Sequence, residues 1–166
     1  MSEYKVSADA LVEKDGEYLM VQEGKEHVDG TWSMPGGGLE GLENPAEAVR
    51  RELREETGLE TKSVDGLIGV YYSRSETDGG PVLVMVFSCG VEDGDPEPMT
   101  AYQDEVRGAR FFSEKEIEYL ELRNDIIERA IEDRVQRTPL DPGVISKFMH
   151  PHREDEPSPQ VSNHED

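Results

Sequence analysis

Cysteine is almost absent. Cys89 stands alone among 166 residues, which excludes an intramolecular disulfide, argues against a cysteine-based zinc centre and points to a reducing cytoplasm. Basic residues are scarce too: 17 lysines and arginines face 38 aspartates and glutamates, a formal charge of -21. That balance argues against nucleic acid or an anionic membrane surface as a partner. No window approaches the ~20 apolar residues of a membrane span, and the opening MSEYKVSADALVEKDG carries no secretory pattern, so the chain reads as neither exported nor membrane-bound. Aromatic residues make up 7% and mean hydropathy is -0.71, a composition that would suit disorder were it not for clear strand patterns.

What is abundant is acid, spread along the whole chain. A folded domain this acidic repels itself in dilute buffer, and salt at about 1 M screens such repulsion to ~3 Å. The composition therefore reads as halophilic. The length suits one domain, expected over residues 1–137, with 138–166 as a C-terminal extension whose end, HPHREDEPSPQVSNHED, is polar, proline-containing and expected to be flexible.

YKVSADALV and EYLMVQ flank Lys14-Asp15-Gly16 and read as a hairpin. A polar loop, EGKEHVDGTWS, leads to Met34-Pro35 and three glycines, Gly36 to Gly38, where backbone can approach something closely. A helix is signalled over 45–57: Asn44 is its N-cap, Pro45 its first residue, Glu47 completes a capping box and Gly58 stops it. SVDGLIGVYYS and PVLVMVFSCGV predict two strands, the second apolar on both faces and hence central. VRGARFF predicts another strand, and SEKEIEYL and LRNDIIERAIEDRV predict helices, the first capped by Ser113.

Within the first helix, Glu52, Glu55 and Glu56 lie beside the apolar stripe of Ala46, Val49 and Leu53 rather than opposite it. At i, i+3 and i+4, two of them in the last turns, these acids repel one another and the helix dipole. Something cationic must compensate: either Arg51 and Arg54, as an ordinary solvated helix face would have it, or a hard divalent cation. Carboxylate oxygens without nearby histidine or cysteine suit Mg²⁺, or Mn²⁺, and Mg²⁺ commonly sits between carboxylates and substrate phosphates. A bound cation would also let so acidic a chain attract a polyphosphate.

Residues 37–59 resemble the signature of the Nudix hydrolases, G-x5-E-x7-R-E-U-x-E-E-x-G-U with U a bulky aliphatic. Gly37, Glu43, Arg51-Glu52-Leu53, Glu55-Glu56, Gly58 and Leu59 fill every position, although Leu42 stands where the family commonly has glycine. The resemblance implies an α/β/α sandwich with a mixed central sheet, and hydrolysis of the pyrophosphate of a nucleoside diphosphate linked to another group. It implies metal binding by Glu52, Glu55, Glu56 and the Gly37 carbonyl, an orienting role for Arg51, paired with Glu43, and Glu52 as general base. A further acid from the segment before the last strand is frequent in the family. Tyr102 occupies its usual place, leaving Asp104 and Glu105 as candidates, with Glu105 the proposed ligand.

Trp32 either stacks on a base or fills the core, and His27 is a phosphate contact or an ordinary surface histidine. The family's downstream markers of substrate are missing, with Arg74 where ADP-ribose hydrolases often have proline. The substrate class thus spans nucleoside triphosphates, ADP-ribose and nucleotide sugars, and a homodimer is compatible with the sequence. The competing reading is a non-catalytic nucleotide-binding regulatory domain of the same family; retention of all the glutamates favours the enzyme.

Overall fold

The computed structural model describes residues 3–145. Strands β1 (Lys5–Lys14) and β2 (Glu17–Glu23) form the expected hairpin, turning through Asp15 and Gly16 at φ 54° and 80°, the left-handed pair that a two-residue hairpin turn requires. Two short strands follow, β3 (Trp32–Ser33) and β4 (Gly36–Gly38), then helix α1 (Pro45–Thr57), the long strands β5 (Thr61–Arg74) and β6 (Pro81–Val91), and β7 (Val106–Ser113). Helices α2 (Glu114–Ile117) and α3 (Ile126–Gln136) follow.

The seven strands make one mixed sheet. Its main path runs β3-β2-β1-β6-β5, with β4 on β1 and β7 on β2. Among these strands, β1 and β6 alone pair in parallel. β6 lies between β1 and β5, as its two-faced apolar sequence predicts.

Strand alternation sends side chains to two cores. Leu11, Tyr18, Met20, Val84 and Val86 pack with Ile117 of α2 and Ile127, Ala130 and Ile131 of α3. Ala8, Ala10, Val12, Leu19, Phe87 and Cys89 pack with Ala48, Val49 and Leu53 of α1. Two apolar faces covered by helices give the α/β/α layering.

Helix α1 has the caps its sequence announces. Asn44 accepts from the Glu47 N–H, Glu47 accepts from the Asn44 N–H, and Gly58 ends the helix at φ 68°. The predicted helix over SEKEIEYL shortens to four residues, although its Ser113 capping box forms. The reason is competition from β3: the Trp32 N–H donates to the Glu121 carbonyl and the Arg123 N–H to the Trp32 carbonyl. That pairing holds 121–123 extended and delays α3 to Ile126.

Beyond residue 137, Leu140 exchanges backbone hydrogen bonds with Leu67 of β5, and Ile145 packs against the α1 core. The acidic tail lies outside the described residues. No helix among the described residues is long and apolar enough to cross a membrane.

A Cβ on Gly58 would lie 2.5 Å from the Glu97 carbonyl oxygen. Gly58→Ala is therefore expected to cost about 1–3 kcal/mol from left-handed strain and the clash together, read as a lower thermal midpoint by circular dichroism.

Candidate active site

The acids of α1 are organised by one guanidinium. Arg51 donates from Nη2 to Glu43 Oε1 (2.7 Å) and the Gly38 carbonyl (3.0 Å), and from Nη1 to Glu52 Oε1 (2.8 Å) and Glu55 Oε2 (3.1 Å). The pair with Glu43 holds that carboxyl below its usual range. Arg54 takes no part: it turns to Glu60 at 3.2 Å.

Glu56 is different. It accepts from the Gly36 N–H (3.1 Å) and forms no ion pair among the described residues. Burial pushes its carboxyl well above the usual range, and the charge of Glu52 pushes it further. Glu52, only 9% exposed, is also raised by burial, against the pull of Arg51. Arginine thus compensates two of the three glutamates and leaves the third without a cation.

β4 brings backbone against these side chains. Gly36, Gly37 and Gly38 pair with Asp9, Ala8 and Ser7 of β1, and a Cβ on Gly37 would lie 2.5 Å from Glu52 Oε1. A side chain at 37 would push the Glu52 carboxylate out of this position, whereas glycine lets the strand approach it.

A cleft of about 400 Å³ runs along this strand. Its lining includes Glu56, Asp9, Glu23, Ser33 and Arg123. Asp9 is raised to about 7 by burial, offset in part by the Ser7 hydroxyl, which donates to it at 2.9 Å. Glu23 accepts from Ser33 Oγ (2.7 Å) and Arg123 Nη1 (2.8 Å).

Asp9 and Glu23 are the acids whose charges reach Glu56 from outside α1. Glu105 and Asp104 are not brought there: the Glu105 carboxylate lies 3.5 Å from Lys25, and Asp104 is exposed. Tyr102 stands beside Glu55, whose carboxylate raises the phenol. Trp32 packs edge-on against Phe112, centroids 4.7 Å apart, and it is Ser33 and Met34 that line the cleft, with His27.

Sequence reasoning missed Asp9, Glu23 and Arg123. Asp9 did leave a signal, since an acid two residues before Leu11 shares its core-facing side of the strand. Arg123 was hidden in a segment that reads as helix.

The donors along α1 are all oxygens, which suits a hard divalent cation. Among the described residues no three acidic, histidine or cysteine side chains converge as a closed ligand set, with Glu52 and Glu55 turned onto Arg51.

The desolvated acids Asp9 and Glu56 set the sign of a pH dependence. Asp9 and Glu56 keep their protons to higher pH than in the unfolded chain, so the folded state binds more protons over roughly pH 4–7 and stability falls as pH rises through that window. In chelator, the thermal midpoint is expected to be higher near pH 5 than near pH 8, and Asp9→Asn to flatten the profile. A midpoint rising across the window would contradict the desolvation of these acids.

The family profile of the NUDIX domain matches residues 3–133. A protein of Methanocaldococcus jannaschii named ADP-ribose pyrophosphatase is 36% identical over 107 residues, covering 64% of this chain and 60% of its own length. A MutT-like protein of Streptomyces ambofaciens is 39% identical over 87 residues, covering 52% of this chain and 51% of its own. The chain thus spans about half to three fifths of these relatives. Among solved structures, a NUDIX hydrolase from Nitrosomonas europaea superposes with a TM-score of 0.78 at 27% identity, covering 88% of this chain and 98% of that one. With its signature glutamates assembled on one helix beside the glycine strand, the chain belongs to the NUDIX domain family.

Proposed function

We propose that the chain is a divalent-metal-dependent hydrolase that cleaves the pyrophosphate bond of a nucleoside diphosphate linked to another group. The observation that carries this reading is Glu56, a half-buried, strongly desolvated carboxylate on the cleft with no cation of its own among the described residues, beside two glutamates already organised by Arg51. Such a group is costly to ionise unless a cation meets it.

Glu52, Glu55, Glu56 and the Gly37 carbonyl would hold Mg²⁺, with Mn²⁺ an alternative. Once bound, that cation supplies positive charge to the pyrophosphate oxygens and makes water a stronger nucleophile. The chain's residues do the rest. Arg51 fixes the directions of Glu52 and Glu55, Glu43 anchors Arg51, and Glu52 accepts the proton of the attacking water. The glycine strand keeps the backbone close enough for carbonyl and carboxylates to act together.

The relative named ADP-ribose pyrophosphatase favours ADP-ribose among the candidate substrates, beside nucleoside triphosphates and nucleotide sugars. The same reading takes residues 1–137 as the hydrolase domain and the remainder as an extension, and leaves room for a homodimer. It also places the protein in a reducing, salt-rich cytoplasm. The buried Cys89 thiol, raised to about 12 by burial, suits a chain that makes no use of its cysteine.

Glu56→Gln is expected to lower Mg²⁺-dependent turnover by about 10²-fold or more while the metal-free fold stays as stable or gains stability, checked by chromatographic product assay and thermal melts. Full activity in this variant would overturn the assignment. Arg51→Gln is expected to reduce turnover by about 10–100-fold and, unlike Glu56→Gln, to lower the midpoint as well, because it releases the buried Glu52 and the half-buried Glu55 at once. Removing salt is expected to lower the midpoint of the wild-type chain; equal stability without salt would end the halophilic reading.

A further inference from the structure

The cleft extends past the metal-binding acids to a wall built from three separate segments. Glu23 ends β2, Ser33 ends β3, and Arg123 comes from the connection between α2 and α3. Glu76, between β5 and β6, closes the wall from the other side.

All three guanidinium nitrogens of Arg123 are committed. Nε donates to Glu76 Oε2 (3.0 Å), Nη2 lies 2.8 Å from the same oxygen, and Nη1 donates to Glu23 Oε1 (2.8 Å). Ser33 likewise gives its hydroxyl proton to Glu23 Oε1. Two carboxylates share one guanidinium here, so the wall is poorly suited to a phosphate.

Glu23 is only 5% exposed, yet both donors it meets sit on Oε1, and among the described residues Oε2 receives none. Glu23 lines the cleft, and a carboxylate oxygen without a donor on so buried a residue is a strong acceptor left unsatisfied. The Ser33 oxygen, its proton engaged, offers a second acceptor alongside.

We infer that Glu23 is the specificity-determining residue of this cleft: its free oxygen, with Ser33 Oγ, accepts from a neutral pair of N–H or O–H donors on the part of the substrate beyond the pyrophosphate. Arg123 is a positioning residue that holds the carboxylate in place. Two chemical groups carry such a pair, the amino and imino edge of guanine and the vicinal hydroxyls of a terminal ribose. The inference rests on the hydrolase reading above.

The test is a ratio of kcat/KM values, measured with Mg²⁺ in high salt for substrates that differ by one donor: guanosine against inosine triphosphate, and ADP-ribose against its 2″-deoxy analogue. The wild-type chain is expected to prefer the donor-bearing member of one pair, and that pair identifies the source. In Glu23→Gln the preference should shrink by about tenfold or more, the loss typical of a charge-assisted hydrogen bond. Arg123→Lys, checked for folding by circular dichroism, should shrink it less.

If Glu23→Gln slows both members of each pair by the same factor, Glu23 is structural and the inference is overturned. It is also overturned if the wild-type chain hydrolyses the panel without preference. If the wild-type chain binds Mg²⁺ and hydrolyses nothing in the panel, the hydrolase reading itself fails, and the inference with it.

Discussion

One guanidinium sets the geometry on which the rest of the site depends. Arg51 joins the loop before α1, through Glu43, to the helix, through Glu52 and Glu55, and to the glycine strand, through the Gly38 carbonyl. Three chain segments meet on one planar fork, whose donors match carboxylates in direction as well as charge. Lysine could supply the charge but not the fork. Since the pair with Glu43 is only partly exposed, its geometry resists the screening that weakens ion pairs on a salt-bathed surface.

The same arrangement explains why the third glutamate can stay uncompensated. The Arg51 guanidinium is taken by Glu43, Glu52 and Glu55 and Arg54 turns to Glu60, so Glu56 relies on one backbone N–H and stays desolvated. Asp9 and Glu23 add to its difficulty from neighbouring strands. The fold concentrates like charge at one end of the cleft and neutralises it only in part, a configuration that costs stability and is retained where a cation or proton completes it.

How much of this was legible in the sequence follows from the range of each interaction. The capping box of α1, the Asp15-Gly16 turn and the central placement of β6 depend on neighbours in sequence or on an unbroken apolar pattern, and those are readable. The Arg51 and Glu43 pair was reached through the family resemblance. Asp9, Glu23, Ser33 and Arg123 meet only because β1, β2, β3 and the α2–α3 connection converge, and no local pattern encodes that convergence. The same cause separates the helical patterns of 113–120 and 122–135 from the observed helices: the segment where they meet is claimed by Trp32 through backbone pairing that crosses some ninety positions. Glu105, a candidate ligand through the family resemblance, lies just before β7 and has its carboxylate 3.5 Å from Lys25.

The connection between β6 and β7 is fastened to the end of α1: the Glu97 N–H donates to the Thr57 carbonyl and the Met99 N–H to the Glu55 carbonyl. A last helical turn ordinarily frays, because its carbonyls lack partners. Here it is sealed, so the turn that carries Glu55 and Glu56 has little freedom left to lose when a ligand arrives. Much of the ordering entropy of the site is incurred during folding, and binding begins from a turn already in place.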